Sequence, residues 1–372
     1  MNQSTSSVVI FRKRLLSYTE TFIADQARLL PCYRPIFCGY RKDHSGIHLL
    51  GESRIILLEG CSRLAGLSKL LFRLGFGGGS NWVSAIAAES PALIHAHFFN
   101  DGLDAVKLAR RLGIPVITTV HGHDITKHEN AVAQSKTSRR FFQEVDRIIA
   151  VSSFIARQAL ARGCPEHKLI QHYIGIDLEK FTQQKNETDE PSLLFVGRLV
   201  EKKGCSYLLQ AMEQLKPRFP GLSLTIVGQG ELKPALQREA GERQLRVEFV
   251  GAADATEIKR QLAQCWVFVA PSITAQSGDA EGLGMVFLEA QALQTPVVSF
   301  RSGGVVEAVE EGSSALLSDE KDVAGLAANI AELLDNSTAR HNMGASGRKR
   351  VEQHFDIRKQ CAKLESIYAE LD

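Results

Sequence analysis

The sequence has few of the features that mark secreted, membrane-spanning or metal-cluster proteins. Its seven cysteines are odd in number and form no Cys-x-x-Cys pair, which argues against a disulfide framework or a cysteine zinc site and indicates a reducing compartment. No apolar run approaches the roughly 18 residues that cross a bilayer, and the first residues do not resemble a signal peptide. No Asp-x-Asp metal motif occupies a suitable loop. We therefore expect a cytoplasmic protein that uses no metal.

Neither sign of charge dominates the chain, but charge is unevenly distributed along it. The formal net charge is +2, with 24 Lys and Arg against 15 Asp and Glu in residues 1–186 and 20 against 27 in residues 187–372. Such a split is typical of two domains, the first of which would face an anionic partner, although it could also arise by chance. The length of 372 residues agrees with two or three domains. Nothing in the composition points to nucleic acid.

Short apolar segments typical of strands alternate with helical segments throughout the chain. Such alternation predicts an α/β protein with parallel doubly wound sheets. The polar stretch 182–191 is typical of a linker, and a second series of strands begins after it. We predict two Rossmann-like domains facing a cleft. The predicted strands are 8–11, 34–38, 54–58, 93–97, 115–120 and 147–151 before the linker, and 192–196, 223–227, 247–250, 266–270 and 296–300 after it.

The stretch Ala270–Ala292 contains the strongest functional signal. A buried strand leads into a polar loop with Glu281-Gly282-Leu283-Gly284, and an apolar helix with Glu289 follows. The first N–H groups of a helix lack partners inside it and favour an anion, while Gly282 and Gly284 would let a phosphate or sugar approach the backbone. The alternative is an ordinary strand–turn–helix crossover with solvated glutamates.

Two more loops follow predicted strands of the second half. Gly197 and Arg198 come directly after one strand, and Lys203 lies five residues further on. These two cations could neutralise a diphosphate, Arg by a bidentate contact and Lys as a point charge. Gly228 and Gly230 form a Gly-x-Gly after the next strand, which alone is a weak signal. A solvated loop is the alternative at each position.

Histidine pairs stand at the ends of two predicted strands in the first half. His95 and His97 end one strand, and His121 and His123 follow the next, close to Asp124. These four histidines could be ligands of a metal-dependent hydrolase. That interpretation leaves the second half of the chain unexplained.

The motifs together resemble the retaining glycosyltransferases of family 4, which have the GT-B fold. The resemblance rests on the Glu-x7-Glu spacing of Glu281 and Glu289, the Gly-Arg-Leu and Lys-Gly elements around Arg198 and Lys203, the His-Gly-x-Asp at His121, Ile174–Phe181 and Val-Gly-x-Gly. Thr19–Ile23 resembles a Ser-Glu-Thr-Phe-Ile segment of bacterial exopolysaccharide transferases. The chain departs from the family in its first turn, which lacks the usual glycines.

The resemblance implies a role for each matched residue. His121 and Glu281 would contact the donor sugar, Arg198 and Lys203 the leaving diphosphate, and Glu289 the ribose. The catalytic residues would thus be His121, Arg198, Lys203 and Glu281. The donor would also be held by Gly197, Gly228, Gly230, Gly282, Leu283, Gly284 and Glu289. The domains would be 1–178, an acceptor-side domain, and 179–356, a nucleotide-sugar domain, with a terminal helix, 357–372, crossing back to the first.

The resemblance implies a transferase that moves a hexose from a nucleotide-sugar, UDP-hexose first and GDP-mannose second, to a hydroxyl. The acceptor would be a lipid-linked saccharide of a bacterial surface polysaccharide. No cofactor or metal is expected. A non-catalytic nucleotide-sugar-binding subunit is a further alternative.

A basic amphipathic segment suggests where such an enzyme would contact a membrane. Between Ser62 and Phe76, leucines recur at helical spacing with Arg63, Lys69 and Arg73 among them. Such a helix can lie on an anionic bilayer, giving weak peripheral contact, or it can pack on its own domain.

Overall fold

The computed structural model describes residues 6–62, 64–127, 136–182 and 185–371. These residues form two compact units. The first unit contains the described residues up to Ile125, those from 136 to Gly175, and those from Ile357 onward. The second contains Thr126, Lys127 and Ile176–Asp356. The chain therefore leaves the first unit and returns to it with its last helix.

Strands and helices alternate over most of the described chain. The strands are β1 Ser6–Phe11, β2 Arg14–Leu15, β3 Tyr33–Gly39, β4 Arg41–Lys42, β5 Arg54–Leu57, β6 Pro91–His97, β7 Val116–Val120, β8 Arg147–Ala150, β9 Leu169–Gln171, β10 Ser192–Val196, β11 Ser223–Val227, β12 Arg246–Gly251, β13 Val267–Val269, β14 Val297–Phe300 and β15 Ala315–Ser318. The helices are α1 Thr21–Arg28, α2 Leu58–Cys61, α3 Ala65–Leu74, α4 Ser80–Ala87, α5 Phe99–Leu112, α6 His123–Thr126, α7 Lys136–Glu144, α8 Ser153–Ala161, α9 Cys205–Leu215, α10 Lys233–Glu242, α11 Ala255–Gln264, α12 Met285–Ala292, α13 Val305–Ala308, α14 Val323–Asp335, α15 Ser337–His354 and α16 Ile357–Ala369.

The first unit is built on a parallel sheet with the strand order β5-β3-β1-β6-β7-β8-β9. Its central strands are apolar on both faces, as parallel strands covered by helices on both sides require; Val8, Val9, Ile94 and Ile117 are fully buried. The order reverses between β1 and β6. In such sheets ligands bind beyond the carboxyl ends of the strands at the reversal, which here are Phe11 and His97.

The terminal helix α16 belongs to the core of the first unit. Cys361, Leu364 and Tyr368 are buried among side chains of β1, β3 and α1. The Glu365 carboxylate accepts hydrogen bonds from the backbone N–H groups of Cys32, at 2.6 Å, and Tyr33, at 3.1 Å. Removing this helix would expose apolar core and leave these N–H groups without that acceptor.

The second unit repeats the same architecture with the parallel order β12-β11-β10-β13-β14-β15. Here the order reverses between β10 and β13, which pair through Leu193↔Val267 and Leu194↔Phe268. The expected binding edge is therefore formed by the loops after Val196 and Val269. Together the two sheets confirm the predicted α/β class with two doubly wound domains.

The structure departs from the sequence-based expectations in several local details. The strands β9 and β15 and the small β2–β4 sheet were not predicted. The segment from Ser62 to Phe76 forms helix only over α3, and Arg63 lies outside the described residues. In the described part of the chain, no helix combines the length and the apolar character needed to cross a bilayer.

Candidate functional site

In the second unit, the predicted donor residues gather at the edge where the strand order reverses. Gly197 and Arg198 follow β10, Gly228 and Gly230 follow β11, and the loop with Glu281 leads from β13 into α12. Parallel strands bring these loops together because their carboxyl ends share one edge. His121 lies in the first unit and is described separately below.

Lys203 and Glu281 form an ion pair at this edge. Their side chains are only 12% and 13% exposed. Burial alone would raise the pKa of Glu281, but the ammonium groups of Lys203 and Lys202 and the guanidinium of Arg198 lower this pKa to about 2. Glu281 is therefore a carboxylate at neutral pH, and it accepts a hydrogen bond from Lys203.

Lys202 forms a second buried pair that sequence analysis did not assign to the site. Its Nζ lies 3.0 Å from Asp279 Oδ1 and 3.4 Å from the carbonyl oxygen of Ala280. The loop that carries Glu281 is thus fixed by two neighbouring lysines. The signal was present in the sequence as adjacent lysines, but nothing local indicated that Lys202 points inward, where it is 6% exposed.

Helix α12 begins directly after this loop, at Met285, and Gly284 is its N-cap. Gly284 has φ +86°, a left-handed conformation that strongly favours glycine, and in the described structure no side chain caps this terminus. The first N–H groups of the helix can therefore bind an anion, with the helix dipole adding to the attraction. Leu283 is buried and anchors the turn.

Glu289 lies further along α12 and has a different environment from Glu281. Desolvation raises the pKa of Glu289 to about 7, and Lys259 opposes this shift only in part. The carboxyl group is thus held without the strong charge compensation that Glu281 receives. The ionised form of a carboxyl group in this state is stabilised most by a ligand that donates hydrogen bonds to the carboxylate.

The glycines after β11 have a packing role that sequence analysis did not anticipate. A Cβ on Gly228 would lie 1.9 Å from the carbonyl oxygen of Gly197, and one on Gly230 would lie 2.3 Å from that of Leu199. The missing side chains therefore let the loops after β10 and β11 pack backbone to backbone. Gly304 has the same role beside the loop that carries Glu281, since a Cβ on Gly304 would lie 1.9 Å from the carbonyl oxygen of Gly282.

The arrangement in the second unit suits an anionic ligand with hydroxyl groups. It combines an exposed guanidinium on Arg198, the ammonium of Lys203 and a helix N-terminus, all of which favour phosphate. The carboxylates of Glu281 and Glu289 are acceptors that suit hydroxyl donors.

In the first unit, His121 follows β7 and is surrounded by aromatic rings. Its Nε2 lies 3.1 Å from Nδ1 of His97. The centroid of its ring is 4.5 Å from that of Phe98 and 5.1 Å from that of Phe22. Desolvation and the nearby charge of Arg12 lower the pKa of His121 well below its usual value. The imidazole is therefore neutral at pH 7.

Asp124 fixes the loop that carries His121. Its Oδ1 accepts hydrogen bonds from the backbone N–H groups of His121, at 3.1 Å, and Gly122, at 2.8 Å. Its Oδ2 accepts another from the N–H of Phe99, at 3.0 Å. The hydrogen bonds of Asp124 thus join the ends of β6 and β7, and the spacing His-Gly-x-Asp places this carboxylate where it can accept them.

Arg12 is a further residue at this edge that sequence analysis did not place in the site. Its guanidinium donates hydrogen bonds to Asp101, at 2.6 Å, to Glu20, at 2.5 Å, and to the carbonyl oxygen of His97, at 3.1 Å. Arg12 therefore holds the turn before α1 against the end of β6. The basic cluster at residues 12–14 was the available signal, but it did not distinguish an inward-pointing arginine from a solvated one.

Phe98, next to His97, has a strained backbone. Its φ of 70° and ψ of 141° fall in a region used almost entirely by glycine, which costs about 1–3 kcal/mol for another residue. Its ring lies 4.2 Å below the guanidinium carbon of Arg12. Strain of this kind, beside a buried histidine and an arginine, is typical of functional sites.

Both ring nitrogens of His95, and one ring nitrogen each of His97 and His121, have protein partners. His95 Nδ1 lies 2.6 Å from the Tyr368 hydroxyl, and His95 Nε2 lies 2.7 Å from Thr119 Oγ1. Among the residues that the structure describes, no three His, Cys, Asp or Glu side chains are grouped to hold a metal ion. This arrangement does not favour the hydrolase interpretation.

Comparison with solved structures identifies the class to which this fold belongs. HepE from Anabaena, solved with UDP and glucose, superimposes with a TM-score of 0.77 over 98% of this chain and 100% of that chain, at 16% identity. The fold is therefore GT-B, the two-domain fold of glycosyltransferases.

Sequence comparisons define the family. Residues 177–350 match the model "Glycosyl transferases group 1", and residues 52–180 match "Glycosyltransferase Family 4". A Salmonella typhimurium protein, WcaL, whose name assigns it to colanic acid biosynthesis, is 33% identical over 72% of this chain and 69% of its own length. The amylovoran biosynthesis glycosyltransferase AmsK of Erwinia amylovora is 32% identical over 68% of this chain and 64% of its own length. The chain belongs to the family 4 glycosyltransferases.

Proposed function

We propose that this protein is a retaining hexosyltransferase of bacterial surface polysaccharide biosynthesis. It takes a hexose from a nucleotide-sugar, with UDP-hexose as the first candidate donor, and attaches it to a hydroxyl of a growing, lipid-linked saccharide. The names of WcaL and AmsK, which assign them to colanic acid and amylovoran biosynthesis, support this product class. The UDP and glucose bound to HepE support the donor class.

The observation that carries the proposal is the position of Glu281 and Glu289 in one loop–helix segment, at the edge where the strand order of the second unit reverses. Glu281 is kept ionised by Lys203 and Lys202, with a pKa of about 2, whereas Glu289 has a pKa of about 7. We assign Glu281 to the hydroxyls of the donor sugar and Glu289 to the ribose. Both groups lie in one short loop–helix segment whose N-terminus would bind the diphosphate between them.

The proposed chemistry depends on stabilising the leaving diphosphate. Arg198, Lys203 and the N–H groups at the start of α12 would bind the negative charge that grows on it in the transition state. We propose a front-face reaction, in which the diphosphate helps to remove the proton from the acceptor hydroxyl and the configuration at the anomeric carbon is retained. His121, neutral and rigidly held, would contact the donor sugar. The two cations would take the place of a divalent metal.

A panel of nucleotide-sugars tests the proposal. Each donor is scored for hydrolysis, for transfer and for thermal stabilisation of the protein, and the anomeric configuration of the product is read by NMR. Stabilisation by UDP-hexoses above all others, with a retained product, is expected. Preference for GDP-mannose would change the donor, an inverted product would refute the mechanism, and binding without turnover of any donor would indicate a non-catalytic subunit.

Chelation tests the metal-free mechanism and the hydrolase alternative together. Transfer is expected to continue at an unchanged rate in EDTA. If EDTA abolishes turnover and zinc or manganese restores it, a metal is required and the histidines of the first unit become candidate ligands.

Localisation follows from the proposal: the enzyme would work at the inner face of the cytoplasmic membrane, where its lipid-linked acceptor is held.

A further inference from the structure

Helix α3 presents large apolar side chains to solvent. Five of them, on the helix and its flanks, are between 51% and 74% exposed: Leu64, Leu67, Leu70, Leu74 and Phe76. Within the helix, the leucines at positions 67, 70 and 74 recur at a spacing of one helical face. We call these five side chains the leucine face. An exposed apolar patch of this kind is a mark of an interaction surface.

The leucine face is not the side of α3 that packs in the core of the first unit, because the opposite side of the helix has that role. Phe72 is 2% exposed and meets Trp82 edge to face, with ring centroids 5.4 Å apart. The ring centroid of Tyr40 lies 6.3 Å from that of Phe72. Lys69 Nζ lies over the Tyr40 ring, 5.1 Å from its centroid. The helix is therefore anchored in the first unit through one face while the leucines point away.

Cations surround a surface depression beside the leucine face. This cavity, of about 410 Å³, is lined by Gly66, Lys69, Leu70, Arg73, Leu74 and Lys107. The buried carboxylate of Asp104 lies 3.4 Å from Arg73, 3.8 Å from Lys107 and 3.3 Å from Lys13. One carboxylate cannot neutralise Lys69, Arg73 and Lys107, the three cations that line the cavity, so the cavity beside the exposed leucines carries excess positive charge.

We propose that α3 docks the protein on an anionic phospholipid surface. The leucine face enters the interface between headgroups and acyl chains, and Lys69, Arg73 and Lys107 bind a lipid phosphate in the adjacent cavity. Charge complementarity selects this occupant, since apolar side chains flanked by lysine and arginine fit an anionic bilayer, whereas the core of a protein interface is depleted of charge. The inference rests on the proposed function, because a lipid-linked acceptor is what makes docking useful.

Flotation with vesicles tests the proposal on the full chain. Vesicles of phosphatidylcholine alone are compared with vesicles of phosphatidylcholine and phosphatidylglycerol in equal parts, at low and high salt. Wild-type protein is expected to float with the anionic vesicles, and less so at high salt. The triple variant Leu67→Ser, Leu70→Ser, Leu74→Ser is expected to lose this binding. Lys69→Gln with Arg73→Gln should weaken it by about fivefold for each charge removed.

Control variants come from another helix of the same unit. Leu160 and Arg157 on α8 are both exposed, and Leu160→Ser with Arg157→Gln should bind vesicles as wild type does. Thermal melting verifies that every variant is folded. Donor hydrolysis, which needs no lipid, is expected to be the same in all variants as in the wild type. If the wild type does not hydrolyse any donor, the proposed function is refuted while the vesicle-binding result still stands.

Three outcomes would overturn the docking proposal. The wild type could fail to float with anionic vesicles, or the leucine variant could float as well as the wild type. The protein could instead be a dimer by analytical ultracentrifugation and become monomeric in the leucine variant, in which case a second copy of the chain covers the face.

Discussion

Lys203 donates a hydrogen bond to Glu281 across two neighbouring parallel strands, although the residues are 78 positions apart in the chain. The pair forms because β10 and β13 are adjacent where the strand order reverses. It keeps a desolvated carboxylate ionised at the place proposed for the donor sugar. The lysine thus serves the carboxylate in the free protein, in addition to any contact with a diphosphate.

Replacing Lys203 by Met should therefore affect stability and the pH profile together. Leaving a buried carboxylate without its partner is expected to cost about 3–5 kcal/mol of unfolding free energy at neutral pH. The pKa of Glu281 lies below its usual 4.5, at about 2, so its stabilising contribution is present above pH 4.5 and is lost as the pH falls towards 2. The difference between wild type and variant, measured by urea denaturation, should shrink over that window.

The same variant should move the acidic limb of kcat/KM for the donor to higher pH, because the pKa of Glu281 rises. The double variant Lys203→Met, Glu281→Gln is the control, and it should recover part of the lost stability since no unpaired charge remains. An acidic limb that stays in place would show that ionised Glu281 is not needed for turnover.

Glu289→Gln is expected to separate stability from binding. The pKa of Glu289 is raised to about 7, so its favourable contribution is complete below pH 4.5 and is lost as the pH rises through 7. The free variant should thus melt at a higher temperature than wild type at pH 8 and show little difference at pH 5. Nucleotide affinity should fall by about 1–3 kcal/mol, measured by calorimetry, because hydrogen bonds to a charged acceptor are lost. Unchanged affinity in the folded variant would remove Glu289 from the ribose site.

Arg198→Ala should lower kcat more than it raises KM for the donor. Arg198 is exposed in the free protein, so its loss should barely affect stability, whereas the charge it would stabilise grows towards the transition state. Arg218→Ala, at an exposed position of the same unit with an ion pair to Asp335, is a matched control. Should KM rise while kcat is unchanged, Arg198 contributes to ground-state binding alone.

Phe98 provides a test of backbone strain. Glycine ordinarily destabilises a protein relative to alanine, but at φ 70° and ψ 141° it relieves strain that alanine keeps. Phe98→Gly should therefore be more stable than Phe98→Ala by about 1–3 kcal/mol in chemical denaturation. Both variants lose the ring contacts with His121 and Arg12, so both should lose transfer activity. Equal stability of the two would mean that the backbone relaxes at this position.

The sequence by itself determined the architecture and the outline of the proposed donor site. The strands on either side of the linker were predictable because both faces of a parallel strand are buried, so each appears as an apolar run with turn residues at its ends. The loop from Glu281 to Gly284 was predictable for a similar reason, since a glycine-containing turn between a strand and a helix is a local pattern.

Only the tertiary structure decided which charged groups meet and which apolar ones remain exposed. Arg12 contacts Asp101, 89 residues away, and Tyr368 reaches His95 over 273 residues. Such pairings depend on strand order, which local sequence does not encode. The leucines of α3 have the same spacing whether they face a core or a bilayer, because helical periodicity is identical in both cases. Their direction is set by Phe72, whose side chain is buried in the core of the first unit, so that Leu67, Leu70 and Leu74 on the opposite side of the helix are exposed.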